Sequence, residues 1–571
     1  MPAGARISVS YNEFFQLPGV TLSGLEVPDG PRSLFDTAGG ELGGSFDAEL
    51  PLPLLPYAPA GAGLVSTFFD DYYNRIHIIP LEIDFGTLVI ETQRQVSVWN
   101  AYLSGVTTLE SVSFSAPAGI TVLGFDAPVD FQPLELKSGV VNASMSGPAS
   151  IDMTVFWTFN TGDVEKLGVF GSRAKFLPLK PNWSSSQGYR VQYEFKTEII
   201  ESRSGREQRI ALRSQPRQSL NYQSMVRADQ FRAIKGLLWQ WHPYAFVQPD
   251  FAAYIDLDVP MEAGDTAFVP AVAVSWMVAG QSLLFVNGTD QEIRRIGSVD
   301  VDGVNLRPDS NRAWPADTRV YLALAGNLPN EVTLNHPTND IAELGVSFEV
   351  TPGSLQRLPP PAAPLTFNGR ELFLLKPNWG RPVSRPRIHP VEIIDFDRGL
   401  TSRFVPIKFG TMAHRANYLG RNQAGATQLI DFFRRMRGRQ GEFYMPTWEK
   451  DFVLKEPSSS GSQTLMVEGF DFYSQYVGST VMKVVYVMLL DGTVLTRVVS
   501  GMTLVNDGAD TLISVTGAWG TTISEATTVL TGWLPVWRLS SDNLTVDWRT
   551  DSVAEIQLTM ETIEDLPVET P

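Results

Sequence analysis

A mainly β fold with a few helices, built of sandwich- and barrel-type modules, is what this sequence predicts. Three observations carry it. Segments in which apolar and polar residues alternate, rich in Val, Ile, Thr and aromatics and broken by Gly, recur from Arg75 almost to the end of the chain. Two stretches, RADQFRAIKGLLWQ and ATQLIDFFRRMRGR, instead place apolar residues at the spacing of an amphipathic helix. And the pentapeptide LKPNW occurs twice, at Leu179–Trp183 and Leu375–Trp379, 196 positions apart, so part of the fold is expected twice.

The chain has 571 residues, room for about three to five domains. With 43% hydrophobic and 19% charged residues it has a globular profile. No apolar run approaches the roughly 20 residues of a membrane-spanning helix, and MPAGARISVSYNEFF has no apolar signal-peptide core, so a soluble protein made in a cytoplasm is expected. The chain contains no cysteine, which excludes disulfides, thiolate metal sites and thiol nucleophiles. Its net charge of −17, from 45 basic and 62 acidic residues, disfavours nucleic-acid binding and suits a surface past which DNA slides.

Residues 1–74 form an extended Pro- and Gly-rich arm without helical period, and Tyr11, Phe14, Phe15 and Phe35 fit an arm laid on a neighbour as well as a mobile tail. Residues 75–175 alternate through HIIPLEIDFGTLVIETQRQVSVWNAYL and SIDMTVFWTFNTGD, with turn signals at Pro117-Ala118-Gly119 and Asn160-Thr161-Gly162; these predict a β-sandwich. The FGT at Phe85-Gly86-Thr87, the VWN at Val98-Trp99-Asn100 and PLELKSG at Pro133–Gly139 resemble bacterial and phage immunoglobulin-like domains.

After each LKPNW the pattern repeats. Two β-type runs surround Ser204-Gly205 in the first copy and Arg398-Gly399 in the second, each predicting a hairpin. A helix follows, with Phe231, Ile234 and Leu238 or Leu429, Phe432, Phe433 and Met436 as its apolar stripe, and Asp229 or Thr427 as its N-cap. Then come YAFVQPDF (Tyr244–Phe251) and EFYMPTWEKDF, in which Phe246 matches Phe443 and Pro249 matches Pro446. The shared aromatic and proline favour a packing corner over a catalytic loop, although Glu449 and Lys450 have no counterpart in the first copy. Ala342-Glu343 and Ala554-Glu555 open similar closing strands. The modules span 176–358 and 366–565, with β-rich insertions over about 254–330 and about 453–540.

The unit of hairpin, helix, aromatic-proline corner and closing strand resembles the tail-tube-like module of phage distal tail and baseplate hub proteins. SRSGREQRIALRSQPRQSLNY (Ser202–Tyr222) looks like the opening of tail-tip proteins, and GRQGEFYMPTWEKDF (Gly438–Phe452) like a segment of phage virion structural proteins. The resemblance covers about 180–565, roughly two thirds of the chain. It implies a virion protein of the tail tip that forms a ring around the DNA channel and joins tube to hub or fibres. As partners it implies copies of the same chain, other tail proteins (tube, hub, fibres) and DNA that passes without specific binding. Three chains with two modules each would close a pseudo-sixfold ring; this trimer is preferred to a hexamer with two stacked rings. The competing reading is a host-surface receptor- or glycan-binding tail protein, with or without hydrolase activity; exposed Trp276 or Trp519 on the insertions would speak for sugar binding.

No catalytic, cofactor or metal site is expected, and the chain is read as not an enzyme. His77, His242, His336, His389 and His414 have no metal-ligand spacing. Asp300, Asp302 and Gly303 lack the further ligands of a calcium loop and read as a turn. Asp70-Asp71 and Asp395 with Asp397 would serve a glycosidase only at the carboxyl separation that mechanism requires, and strand-end carboxylates are the plainer reading. Arg434, Arg435, Arg437 and Arg439 form a basic face expected to pair with acidic groups, in an adjacent subunit, rather than with DNA.

Overall fold

Period-two alternation becomes strand throughout, and the fold is mainly β, with three helices among the described residues: α1 (Ala228–Trp241), α2 (Gln423–Met436) and the short α3 (Phe470–Tyr476). The computed structural model describes residues 72–565 except 117–118, 203–205, 271–273, 275, 289, 302, 308–311, 352–362, 398 and 406–409. All but the last three residues of the expected 1–74 arm lie outside the described residues.

Nine strands between Ile76 and Arg173 form two sheets of four and five strands over one core. In Ser150–Phe159 every second residue (Ile151, Met153, Val155, Trp157, Phe159) turns inward, which is why the alternation was legible.

The strand pairing of residues 175–350 recurs in 370–562. In the first unit, Lys175–Phe176 runs parallel to Phe246–Asp256, with Lys175 opposite Phe246. Phe246 faces Gly326 of Arg319–Asn327, and Gly326 faces Val350 of the closing strand Ile341–Val350. The closing strand then pairs Ala342 with Val226 of the long strand Arg217–Arg227, and Leu344 with Leu334 of the rim strand Leu334–Thr338. In the second unit, Arg370–Leu372 runs parallel to Phe443–Tyr444, with Glu371 opposite Phe443. Phe443 faces Trp537, Trp537 faces Thr562, Ala554 faces Gly420, and Ile556 faces Val546. Both LKPNW copies serve this pairing alike. The Asn182 N–H donates to the Gln223 carbonyl and the Asn378 N–H to the Asn417 carbonyl, each at 2.7 Å. Their side-chain oxygens accept from the Ser184 and Gly380 N–H groups, the local turn that asparagine favours.

The two helices differ from expectation at their starts. α1 is preceded by Arg227, without a side-chain cap, so Asp229 lies inside the helix. α2 is capped by Asn422, whose side chain accepts from the Gly425 N–H. Thr427 lies a turn further in and donates its hydroxyl to the Gln423 carbonyl. The long strand of the first unit runs straight into α1 at Ala228, so no residue is left between them to cap it, whereas Arg421 and Asn422 separate strand from helix in the second unit and the Asn422 side chain meets an open N–H group.

Each insertion carries its own core. Leu283, Phe285, Ile296, Val304 and Trp314 fill the first. The second is a five-stranded sheet with α3, packed around Val485, Val487, Trp519 and Trp533. Arg319–Asn327 and Val536–Leu539, read as the ends of the insertions about 254–330 and about 453–540, pair with the closing strands of the host units instead.

Candidate assembly interface

The two units meet edge to edge. Tyr189–Glu194, paired on one side with the long strand of its own unit, pairs on the other with Asn543–Trp548 of the second unit. One sheet therefore runs through both units. Arg190 and Asp547 face each other across this seam, with Nε and Oδ1 2.6 Å apart.

The hairpin that follows, Thr197–Glu201 paired with Glu207–Ala211, lies on the second unit. The Thr197 N–H and hydroxyl both donate to the Asp542 carboxylate, at 2.7 and 2.9 Å. Glu207 accepts two bonds from Arg538, at 2.7 and 2.6 Å, and Arg538 also reaches Glu561. Arg209 pairs with Glu442, which takes a further bond of 2.7 Å from Arg370. Arg370 in turn reaches Asp565 at 3.1 Å. Arg538, Arg209 and Arg370 have side chains only 6%, 10% and 8% exposed, so these charges are nearly dry and each depends on its partner. Burial pushes the Asp565 carboxyl up, against the pull of Arg370. Burial also opposes the charge on Arg370, but Glu442, Tyr444 and Asp565 together outweigh it and hold the guanidinium above its ordinary range.

The backbone of the second unit is shaped to admit the first. Gly438 has a φ of +68°, and a Cβ there would stand 2.4 Å from an Asp542 carboxylate oxygen and 3.1 Å from the Phe195 Cβ. Phe195 itself packs on Phe433 of α2, ring centres 5.5 Å apart. Asp542 thus sits at the centre of the contact: it also accepts from the Arg439 N–H at 2.8 Å.

The FYMPTWEKDF corner lies beside this contact. Phe443, Tyr444, Met445, Trp448 and Phe452 are buried, and the Trp537 indole donates to the Met445 carbonyl at 2.8 Å. Glu449 joins Arg385 and Arg387 at 2.7 and 3.1 Å, and Lys450 lies 3.5 Å from Glu525. Two arginines of the basic face of α2 have acidic partners within their own unit: Arg434 pairs with Asp431, and Arg435 takes a two-pronged bond with Glu371 at 2.8 and 2.7 Å. Arg437 ends the helix in the left-handed region, φ +50°.

The histidines are scattered. His77 stacks on Trp99 and bonds the Tyr72 carbonyl; His242 bonds the Pro329 carbonyl; His336 stands edge-on to Phe231; His389 is exposed. His414 is buried, with its Nδ1 accepting from the Arg385 guanidinium at 3.2 Å; burial, reinforced by Arg385, lowers its pKa to about 4. Among the described residues no three His, Asp or Glu side chains gather as a metal site. Asp300 accepts from Ser298 and Asn305 within a turn, Asp302 lies outside the described residues, and so do Asp70 and Asp71. Asp395 accepts the Asp397 N–H at 2.9 Å, a local turn at the tip of the second hairpin. Trp519 is buried and Trp276 half-buried against two cores, so neither offers an open face for a sugar. Among the described residues no helix is long and apolar enough to cross a membrane.

No family model matches this chain, and no curated protein matches it. Among solved structures, the VesB protease of Vibrio cholerae aligns at 17% identity with a TM-score of 0.15, over 18% of this chain and 35% of that one. The alignment thus spans about a third of that protease's chain.

Proposed function

We propose that this chain is a non-catalytic structural component of a bacteriophage tail tip or baseplate, forming a ring around the DNA channel that joins the tail tube to the hub or fibres. The observation that carries this reading is the doubled strand pairing with the two units joined edge to edge through Tyr189–Glu194 and Asn543–Trp548. Units that pass a sheet edge to the next unit build rings or filaments, because each edge is satisfied only by a neighbour. A dry ionic contact between the units fits a rigid part better than a moving one. The net charge of −17 fits a duct that DNA traverses without adhering. In this reading the chain acts in the virion, with three copies supplying six units.

Cryo-electron microscopy of the virion tail tip tests the proposal. The expected image places both units of every copy on the tail axis, lining the channel. Finding the chain only on peripheral fibres, or absent from the particle, would end it.

A further inference from the structure

The contact between the two units has two halves, and each unit owns a version of both. The first unit supplies the edge strand and hairpin, and the second supplies the strand and helix that receive them. Among the described residues, no strand or hairpin pairs with the second unit's own edge strand and hairpin or with the first unit's own receiving strand in the way seen at this contact.

The correspondence is residue by residue. In the second unit Ser384 pairs with Arg415 and Arg387 with Met412. These match Arg190 with Asn221 and Tyr193 with Gln218, each residue displaced by 194. The hairpins match by the same shift: Glu392 faces Phe404 as Glu198 faces Ile210. On the receiving side, Leu334 faces Leu344 as Val546 faces Ile556, displaced by 212. So 383–388 repeats the edge strand, and 331–336 repeats the strand that receives it. Among the described residues, the strand pairings in these stretches, at Ser384 and Arg387–Ile388 in one and at Leu334 and Asn335 in the other, lie on one side only.

The free sides point the right way. Ser384 and Arg415 exchange both backbone bonds, at 3.0 and 2.9 Å, so even-numbered groups of this strand face inward. The Phe195 N–H, odd-numbered, donates across the seam to Asp542. Because 194 is even, Arg385 and Arg387 turn their backbone groups to the open edge. Exposure agrees. α2 buries Phe432 and Phe433, whereas on α1 Trp239 stands 88% exposed. The uncovered hairpin shows Ile393, Phe396 and Leu400 at 61%, 65% and 93%. Apolar side chains gathered this way on one hairpin mark a contact surface.

We infer that a second copy of this chain covers both surfaces: its rim strand around 331–336 and its α1 receive the edge 383–388 and the hairpin 391–405 of the first copy, as the second unit receives the first within one chain. The two surfaces differ, so copies join head to tail rather than about a twofold axis. The register is fixed by the template. Arg190 opposite Asp547 becomes Ser384 opposite Asn335, an ion pair replaced by a neutral polar pair. The inference supplies the joints of the ring proposed above and rests on that reading only for closure at three copies.

The absence of cysteine makes the test clean. Ser384 and Asn335 would meet at a position without backbone bonds, where Cα atoms approach to about 4.5 Å, within reach of a disulfide. The double variant S384C/N335C, oxidised at high concentration, is expected to run as a covalent trimer without reductant and as a monomer with it. S384C or N335C alone should stay monomeric, and the two mixed should give a dimer. The in-chain pair R190C/D547C, which closes within one molecule, shows that the folded protein oxidises normally. Adding L400D, an exposed change that leaves the fold intact, should lower the cross-linked yield about tenfold. Absence of the intermolecular bond while the control bond forms, or S384C linking to itself, overturns the inference. A cross-linked ring from a protein absent from the tail axis would keep the joint and sink the phage reading; an axial ring without this bond would do the reverse.

Discussion

Thr197–Ala211 and its counterpart 391–405 share a register but not a setting. The first is held by Asp542, Arg538 and Glu442. The second has Val391 where the first has Thr197, Thr401 where it has Glu207, and exposed Ile393. Charge therefore concentrates at the joint inside the chain and apolar surface at the open hairpin. The physical difference is one of order of assembly. A joint made during folding brings its ionic partners together with no loss of translational freedom, so dry ion pairs with exact geometry can form. A surface that waits for a separate partner gains more from apolar area, which needs no precise pairing.

The sharpest way to break this comparison is Arg538→Ala, which strands Glu207 and Glu561 at the inner joint. We predict a loss of about 3–5 kcal/mol in unfolding free energy. Asn327→Ala, at the matching but exposed position of the first unit, should lose under about 0.5 kcal/mol. Chemical denaturation of both variants checks this, and equal losses would mean that the ionic joint contributes nothing of its own.

The layer behind the two edges offers a second contrast. His414 occupies the place of Leu220, and Arg385 that of Val191. Folded His414 takes a proton only below about pH 4, whereas the unfolded chain takes it below about 6.5. The unfolded state thus binds more protons in that window, and stability falls as pH drops from about 6.5 to about 4, by roughly 3 kcal/mol in full. His414→Leu, which copies the first unit, should lose that part of the pH dependence. Denaturation midpoints of the two proteins between pH 7 and 4.5 measure it; parallel curves would refute the assignment.

At Gly438 the inner joint tolerates no side chain. Gly438→Ala would meet Asp542 and Phe195 and hold a positive φ, and should destabilise by about 2 kcal/mol. An effect under about 0.5 kcal/mol in a denaturation series would show that the hairpin sits more loosely than its contacts imply.

Much of this fold was legible because it depends on local pattern. LKPNW repeats because its Asn makes the same turn and the same strand bond twice. The stripes of α1 and α2 follow from their cores, since Ile234 and Leu429 are both buried. The N-caps were misplaced because Asp229 and Thr427 have cap-like chemistry, while α1 starts where the long strand ends and α2 starts at the Asn422 cap. The joint between the units left no readable trace. Arg190 and Asp547 stand 357 positions apart, and Glu207 and Arg538 stand 331 apart, so no window of sequence contains both partners. The basic stretch after Leu429 shows the same limit: its charges were visible, but whether they paired inside or outside the chain was not.

The smallest effect is expected at a residue whose exposure differs between the two hairpins. Ile199 is half-buried at the inner joint, and its counterpart Ile393 is 61% exposed. In dilute protein, Ile199→Asp should destabilise by about 1–2 kcal/mol, because a charge enters a partly covered contact. Ile393→Asp should change stability by under about 0.5 kcal/mol, since nothing is uncovered. The gap should then close as concentration rises. A partner that binds only the folded chain adds stability by mass action, and Ile393→Asp would forfeit that gain while the unaltered protein acquires it. Thermal melts over a hundredfold range of concentration read this directly. If the unaltered protein and Ile393→Asp keep the same midpoint throughout, the apolar hairpin has no folded partner among copies of this chain.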